Sequence, residues 1–303
     1  MTVVAVNHLT KSYKAVTAVN DLSFTAASGE IVALVGPDGA GKTTLFRSLC
    51  GLIDFDAGEA SIAGFDVSRQ FDQVKPHLGY MPQTFSLYPD LSVEENLRFY
   101  AGLFGLPREQ FARKTERLYQ FSNLGPFAKR RAGQLSGGMK QKLALSCALI
   151  HDPKVLVLDE PTTGVDPLSR RQFWGILKSL RDDGSTIVIS TPYMDEVALA
   201  DRAILIHGGR KMAEGTPAEL VGLYRGQVYL VKTEPTSERM TRLAAIAGVD
   251  ARRFGAAIHL YAPLDMPRDR LLERLAGADI DPALVEPIPP ELEDVFIQLM
   301  GAA

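Results

Sequence analysis

The stretch that decides the fold is IVALVGPDGAGKTTLFRSLCGLI, residues 31–53. Its first five residues are apolar and predict a short buried strand, and apolar residues at helical spacing after Thr43 predict a helix. Between them lies a glycine-rich loop of the form G-x-x-x-x-G-K-[ST]. In the order strand, loop, helix, this pattern binds the phosphates of a nucleoside triphosphate. The sequence therefore predicts a nucleotide site in this loop.

The phosphate loop consists of Gly36, Pro37, Asp38, Gly39, Ala40, Gly41, Lys42 and Thr43. Its glycines let the backbone N–H groups turn toward an anion without a Cβ in the way. The helix that follows adds its N-terminal amides and the positive end of its dipole. Lys42 can reach the β- and γ-phosphates, and the Thr43 hydroxyl can bind Mg²⁺.

The overall composition is that of a globular protein without a nucleic-acid partner. The 303 residues suffice for one large and one small domain, with 46% hydrophobic and 23% charged residues. The net charge of −3 gives no electrostatic reason to expect nucleic acid. Cys50 and Cys147 lie in apolar helical stretches and are predicted to be free core residues. No apolar run approaches the ~18 residues of a membrane span, so we expect a membrane role to require a partner.

Two further motifs follow the phosphate loop. VLVLDE (155–160) predicts a central strand that ends in two carboxylates, and ligands bind at the carboxyl ends of such strands. Asp159 suits Mg²⁺ binding, and Glu160 is the candidate to polarise an attacking water. A helix-capping acidic pair is disfavoured because buried carboxylates need partners. In QLSGGMKQ (134–141), Ser136 is a good N-cap, so a second glycine-bearing helix N-terminus is expected.

The rest of the chain predicts two domains. Strands are expected at 3–7 and 16–25, with a turn around Lys11, Ser12 and Tyr13. Tyr13 could stack on a base or be an ordinary packed tyrosine, and the residues alone leave both open. Residues 84–149 predict a helical block within a sheet-based domain that closes near residue 224. Residues 225–303 predict a small ferredoxin-like β-α-β-β-α-β domain with a regulatory or packing role.

The ordered motifs GPDGAGKT, YMPQ, LSGGMKQ, VLVLDEP and GVDP resemble those of the nucleotide-binding subunits of ABC transporters, over roughly residues 1–224. The tail ELEDVFIQLMG is similar to that of ATPase subunits from drug- and polymer-export systems. The resemblance implies an α/β P-loop ATPase with an antiparallel β subdomain and a helical subdomain.

The resemblance also assigns roles to single residues. ATP and Mg²⁺ are the implied ligands, with Lys42, Thr43 and Thr44 at the phosphates. Gln83 matches the glutamine that senses Mg²⁺ and the attacking water, and Tyr13 matches the adenine-stacking aromatic residue. Asp166 matches the aspartate that communicates between two ATPase subunits.

The same resemblance implies an assembly at the cytoplasmic face of the cell membrane. Two ATPase subunits, identical or different, would pack head to tail with ATP between them. Ser136, Gly137 and Gly138 of one subunit would then cover the γ-phosphate held by the other. The helical block would contact a transmembrane permease.

One position departs from the family pattern. A histidine that contacts the γ-phosphate normally follows the strand that here reads IVIST, and this chain has Pro192 instead. Proline has neither an imidazole nor a backbone N–H, so it cannot make that contact. Thr191 or Tyr193 could supply a hydroxyl, whereas His207 lies in a later hairpin and is a poor substitute.

Three functions are compatible with these motifs. The favoured one is the ATP-hydrolysing motor of an exporter that acts through a separate permease. A soluble ABC ATPase of ribosomes or DNA is a second, although such proteins usually carry two ATPase domains or a long coiled coil. The third is an ATP-gated binding module with little turnover, which Pro192 keeps open.

Overall fold

The computed structural model describes residues 1–84, 86–278 and 280–302. Phe85, in the predicted helical block, and Asp279 and Ala303, in the predicted small domain, lie outside the described residues. The chain divides into two compact units, Met1–Pro217 and Ala218–Ala303. The sequence predicted this boundary near residue 224, which is seven residues after the observed one at Pro217.

The first unit contains both strands and helices. Its strands are β1 (Thr2–Tyr13), β2 (Val16–Ala27), β3 (Ile31–Val35), β4 (Ala57–Ile62), β5 (Phe65–Asp66), β6 (Leu78–Met81), β7 (Val155–Asp159), β8 (Thr186–Thr191), β9 (Arg202–His207) and β10 (Arg210–Gly215). Its helices are α1 (Lys42–Leu49), α2 (Phe71–Val74), α3 (Val93–Leu103), α4 (Arg108–Ser122), α5 (Gly137–Leu149), α6 (Pro167–Asp182) and α7 (Met194–Val197), and α8 (Pro217–Val221) spans the boundary. Short 3₁₀ turns occupy residues 75–77, 125–127 and 132–134.

A six-stranded sheet in the order β10-β9-β3-β8-β7-β6 positions the functional residues. All neighbours from β9 to β6 are parallel, and β10 alone runs antiparallel to β9. Every residue of β3 and β7 is buried, as expected for strands covered on both faces. Because the strands are parallel, the residues that follow β3, β6, β7 and β8 meet at one edge of the sheet.

A second, antiparallel sheet has the order β2-β1-β4-β5. Its first two strands are longer than predicted, and the turn lies at Lys14 and Ala15 rather than at residues 11–13. Polar residues and several register irregularities interrupt the alternation of β1, with positive φ angles at His8 and Asp21. Because these irregularities break the alternation of apolar and polar residues, the sequence pattern predicted strands that are too short.

One apolar core joins the two sheets of the first unit. It includes Val4 and Phe24 from the antiparallel sheet, Leu34 and Val157 from the parallel sheet, and Phe46 from α1. Both cysteines are free and buried, as predicted. Because α1 packs between the two sheets, the loop that precedes it is held by both of them.

The predicted helical block contains α3, α4 and α5. A capping box starts α3: Glu95 N donates to Ser92 Oγ (3.2 Å), and Ser92 N donates to Glu95 Oε2 (2.8 Å). Asn123, in the left-handed conformation, ends α4. Among the described residues, no helix is both long and apolar enough to cross a membrane.

The second unit contains β11 (Gln227–Val231), α9 (Ser237–Ala244), β12 (Asp250–Phe254), β13 (Ala257–Ala262), α10 (Arg268–Gly277), β14 (Val285–Ile288) and α11 (Leu292–Ala302). Its antiparallel sheet has the order β12-β13-β11-β14. This is the strand order of a split β-α-β sandwich, followed by one extra helix. The unit has its own apolar core, which includes Val231, Leu260 and Leu271.

Candidate nucleotide site

The phosphate loop is pressed closely against its neighbours. A Cβ added at Gly36 would lie 2.2 Å from Ile206 O, and one at Gly41 would lie 2.1 Å from Ala18 O. Gly39 and Gly41 also have φ angles of 79° and 101°, in the left-handed region that favours glycine. Close backbone approach therefore requires glycine at residues 36 and 41, and the backbone conformation favours it at residues 39 and 41.

The turn between β9 and β10 supports the loop from the side. Gly209 N donates to Ala40 O (3.1 Å), and Asn20 N donates to Gly209 O (2.8 Å). This turn thus joins the phosphate loop to β2. The Gly208-Gly209 pair predicts a hairpin turn, which is found, but nothing in the local sequence indicates its contact with the loop.

Lys42 is buried and bridges the loop to the acidic strand end. Its side chain is 4% exposed, and Nζ donates to Gly36 O (2.8 Å) and Pro37 O (3.2 Å). The same Nζ lies 3.3 Å from Glu160 Oε1. A buried ammonium is costly unless it is bonded and paired, and here it is both. The lysine is therefore held across the phosphate loop by contacts within the chain.

Glu160 is the centre of a second set of contacts. Its Oε2 accepts from Gln83 Nε2 (2.8 Å) and from Thr163 Oγ1 (3.4 Å). Its backbone N donates to the hydroxyl (2.9 Å) and carbonyl (3.2 Å) of Ser190. Its φ of 48° is unusual for a residue with a Cβ. The three residues predicted to be catalytic, Lys42, Gln83 and Glu160, thus converge on one carboxylate.

Asp159 offers a free oxygen next to this group. Its side chain is fully buried, and Oδ1 accepts from Ser190 Oγ (2.7 Å). Oδ2 has no hydrogen-bond partner among the described residues. Burial raises the pKa of this carboxyl above its usual range, while the hydroxyls of Ser190 and Thr43 act in the opposite direction.

An unpaired, buried carboxylate oxygen near a threonine hydroxyl fits a hard divalent cation. Mg²⁺ keeps several waters and needs only one or two protein oxygens beside phosphates. The described residues contain no cluster of three or more His, Cys, Asp or Glu side chains. Asp159, Thr43 and Gln83 are the residues that would hold the ion.

The second glycine-bearing helix start has a different character. Ser136 caps α5 by accepting from Met139 N (3.4 Å), and Ser136 and Gly137 are exposed. A Cβ at Gly138 would lie 2.6 Å from Ser169 Oγ, so packing against α6 requires glycine there. Among the described residues, no hydrogen bond or ion pair joins this segment to the phosphate loop.

Tyr13 and Asp166 lie outside this converging group. Tyr13 is the last residue of β1, not a turn residue as expected, and its ring is 46% exposed with Lys11 Nζ 5.5 Å from the centroid. Asp166 is the N-cap of α6 and accepts from Ser169 N (2.9 Å). The exposed ring leaves a face free for stacking.

The hydroxyl of Thr191, considered above as a substitute for the missing histidine, is bonded to another residue. Thr191 is buried, and its Oγ1 donates to Glu196 Oε2 (2.5 Å). Tyr193 packs over Arg170, with the guanidinium carbon 4.5 Å from the ring centroid. Pro192 is exposed between them. Sequence reasoning missed Glu196 altogether, because its partner Thr162 lies 34 residues away in the chain.

Comparison with known proteins identifies relatives of this chain. The family model described as ABC transporter matches residues 19–163. The chain is 39% identical over 306 residues to the probable multidrug ABC transporter ATP-binding protein YbhF of Escherichia coli, covering 99% of this chain. That alignment covers 52% of YbhF, so the chain spans about half the length of this relative. The Nod factor export ATP-binding protein I of Burkholderia lata is 40% identical over 286 residues, covering 93% of this chain and 92% of that protein.

Solved structures give the same result. An ATP-binding subunit of an ABC transporter is similar with a TM-score of 0.66 and 30% identity, covering 72% of this chain and 91% of that one. An ATP-binding cassette solved as a dimer in a post-hydrolysis state with ADP and Pi has a TM-score of 0.64 and 26% identity, covering 70% of this chain and 98% of that one. The chain belongs to the family of ABC transporter ATP-binding proteins.

Proposed function

We propose that this protein is the ATP-hydrolysing subunit of an ABC export system. The observation that carries the proposal is the buried Glu160 carboxylate, held by Gln83 and Lys42 at the phosphate loop. Phosphoryl transfer needs a group that orients the attacking water and charges that stabilise the transferred group. Both are present at this edge of the sheet.

The chain's own residues suggest how each step proceeds. The loop amides and the start of α1 hold the phosphates, with Gly36 to Thr44 as the binding segment. Lys42 Nζ turns from its carbonyl partners and from Glu160 toward the phosphate oxygens, which leaves Glu160 Oε1 able to accept a proton from water. Gln83 keeps the carboxylate aimed at that water. Mg²⁺, when bound, neutralises charge on the phosphates.

The proposed assembly is a head-to-tail pair of ATPase subunits, identical or different. Related cassettes have been solved as dimers. The start of α5, Ser136 to Gly138, has its first two residues exposed and would cover the partner's γ-phosphate. Tyr13 would stack on adenine, and Asp166 would contact the partner.

The proposed setting is the cytoplasmic face of the membrane, where the helical block meets a transmembrane permease. Export as the direction of transport follows from relatives named for multidrug transport and Nod factor export. The second unit, Ala218–Ala303, is proposed to have a regulatory or packing role.

Steady-state ATPase activity of the wild type and of Glu160→Gln tests the proposal. The variant keeps the shape and the Gln83 contact but cannot accept a proton, so we expect a loss of at least about 10²-fold. Equal rates with the permease present would overturn the hydrolase and favour an ATP-gated binding module, which Pro192 keeps open.

A further inference from the structure

The segments that follow β7 and β8 are joined by a buried carboxylate that the reaction scheme does not use. Glu196, in α7, is 3% exposed. Its Oε2 accepts from Thr191 Oγ1 (2.5 Å) and from Thr162 Oγ1 (3.0 Å). Thr162 lies two residues after Glu160, and Thr191 immediately precedes Pro192. One side chain therefore ties the loop of the proposed base to the loop of the missing histidine.

The partners of Glu196 are themselves buried and fixed. Thr162 and Thr191 are 1% and 0% exposed. Thr162 O accepts from Val165 N (3.2 Å), and Thr191 Oγ1 also accepts from Tyr193 N (3.1 Å). The two threonines thus connect the carboxylate to the backbone of their loops, Thr191 through its hydroxyl and Thr162 through its carbonyl. A buried carboxylate is costly unless such donors surround it.

Glu196 also has an unused oxygen that faces a cation. Its Oε1 is buried without a hydrogen bond and lies 3.9 Å from Arg170 Nη1, which is also unbonded. Arg170 carries the Tyr193 ring on its guanidinium plane. Asp195 lies 3.8 Å from the same nitrogen but is mostly exposed. The cation therefore compensates the buried charge and anchors the residue next to Pro192.

The backbone conformation of Glu160 is one that these contacts would help to maintain. A left-handed φ in a residue with a Cβ costs free energy and persists only where the surroundings fix it. Ser190 fixes the residue from one side through its hydroxyl and carbonyl. On the other side, the chain leaving Glu160 is fixed two residues later, where Thr162 meets Glu196.

We propose that Glu196 is a positioning residue for ATP hydrolysis. It holds the loop that carries Glu160 against the segment that carries Pro192, so that the base stays aimed although no histidine fixes this side of the site. The inference rests on the proposed ATPase function. It predicts an effect on turnover rather than on ATP affinity, because in the described part of the chain Glu196 has no contact with the phosphate loop.

The test compares Glu196→Met with Glu196→Gln in the full chain. Methionine keeps the volume but removes both acceptors, and we expect kcat to fall by about 10- to 100-fold, with ATP affinity unchanged. Glutamine keeps a carbonyl oxygen that can accept from both threonine hydroxyls, and should restore kcat to within about threefold of wild type. Glu109→Met, at an exposed position, is the control.

Two further measurements separate this inference from the proposed function and from misfolding. Thr162→Val removes one donor and should lower kcat, with a less than additive effect in Glu196→Met. Hydrogen exchange of the Thr163 and Val165 amides should accelerate in Glu196→Met whether or not the chain hydrolyses ATP.

Unchanged exchange and wild-type kcat in Glu196→Met would overturn the inference. A fall in ATP affinity equal to the fall in kcat would also overturn it. A wild type without ATPase activity but with accelerated exchange in the variant would overturn the proposed function while leaving the bracing role of Glu196 supported.

Discussion

Two helices of the first unit begin at glycine-bearing N-termini, but their surroundings differ. The start of α1 is enclosed, with buried Lys42 bonded to its own loop and 3.3 Å from Glu160. The start of α5 is open, since Ser136 and Gly137 are exposed. A helix N-terminus attracts anions in either case. The difference favours the proposal that the start of α1 binds phosphate within its own chain, whereas the start of α5 would offer donors to a ligand held by another chain.

The largest expected effect is at the enclosed helix start. Lys42→Ala removes a charged contact to the β- and γ-phosphates, so we expect ATP binding to weaken by ~1.5–3 kcal/mol. Isothermal titration of the monomer measures the affinity. Lys140→Ala, which removes a charge near the start of α5, is the matched control and should bind ATP as the wild type does. Equal losses in both variants would erase the distinction between the two helices.

At the open helix start we expect a packing effect. A Cβ at Gly138 would lie 2.6 Å from Ser169 Oγ and 2.7 Å from Ser169 Cβ. Gly138→Ala should therefore lower the free energy of unfolding by about 1–3 kcal/mol, as overpacking does. At neighbouring Gly137 the nearest atom to an added Cβ is 3.7 Å away, so Gly137→Ala should be tolerated. Urea denaturation compares the two, and similar stabilities would contradict the packing account.

The charge of Asp159 is expected to lower the stability of the ligand-free protein and to strengthen the binding of Mg-ATP. Burial raises its pKa in the folded state, so stability is lost as pH rises from the unfolded pKa through the folded one. At neutral pH the charge is a net cost, and Asp159→Asn should raise the unfolding temperature without ligand. Mg-ATP should stabilise the variant less than the wild type, since Oδ2 has lost its charge.

Thermal unfolding with and without Mg-ATP makes this measurement. Asp90→Asn, at an exposed position, is the control and should change neither value. A lower unfolding temperature for ligand-free Asp159→Asn would show that the carboxylate stabilises the fold rather than serving a ligand.

The smallest expected effect is at Pro192. One preorganised donor is usually worth ~10²–10³ in rate, so a lost histidine would matter in an unadapted site. Here Thr191 and Tyr193 are fixed by Glu196 and Arg170, and we expect Pro192→His to change kcat by less than about tenfold. Steady-state ATPase rates give the answer. A gain in kcat of ~10²–10³ in Pro192→His would mean that the wild-type site is impaired, and would favour the ATP-gated binding module.

Short motifs allowed the central part of the site to be predicted from sequence. The strand, loop and helix of residues 31–53 are as expected, because a buried apolar run and a helical period are local signals. Asp159 and Glu160 lie at the predicted strand end for the same reason. Parallel pairing then brings Gln83 to the carboxylate, as the carboxyl-end rule for such sheets implies.

What could not be predicted depends on long-range contacts. Gly209 reaches Ala40, and Glu196 reaches Thr162, across separations that no local pattern encodes. The left-handed backbone conformation of Glu160 could not be predicted either, since no sequence pattern indicates that conformation for a glutamate. The hairpin of β1 and β2 was underestimated because bulges break its alternation. Each of these features requires the tertiary structure.

The most direct test of the two-helix account is the mass of Glu160→Gln with Mg-ATP. Blocked hydrolysis should trap ATP between the enclosed α1 start of one chain and the open α5 start of another. Light scattering is then expected to show twice the mass of a single chain, and Ser136→Arg should return the protein to one chain. A Glu160→Gln protein that stays monomeric at micromolar concentration with saturating Mg-ATP would contradict the proposal that two copies of this chain complete each other's sites.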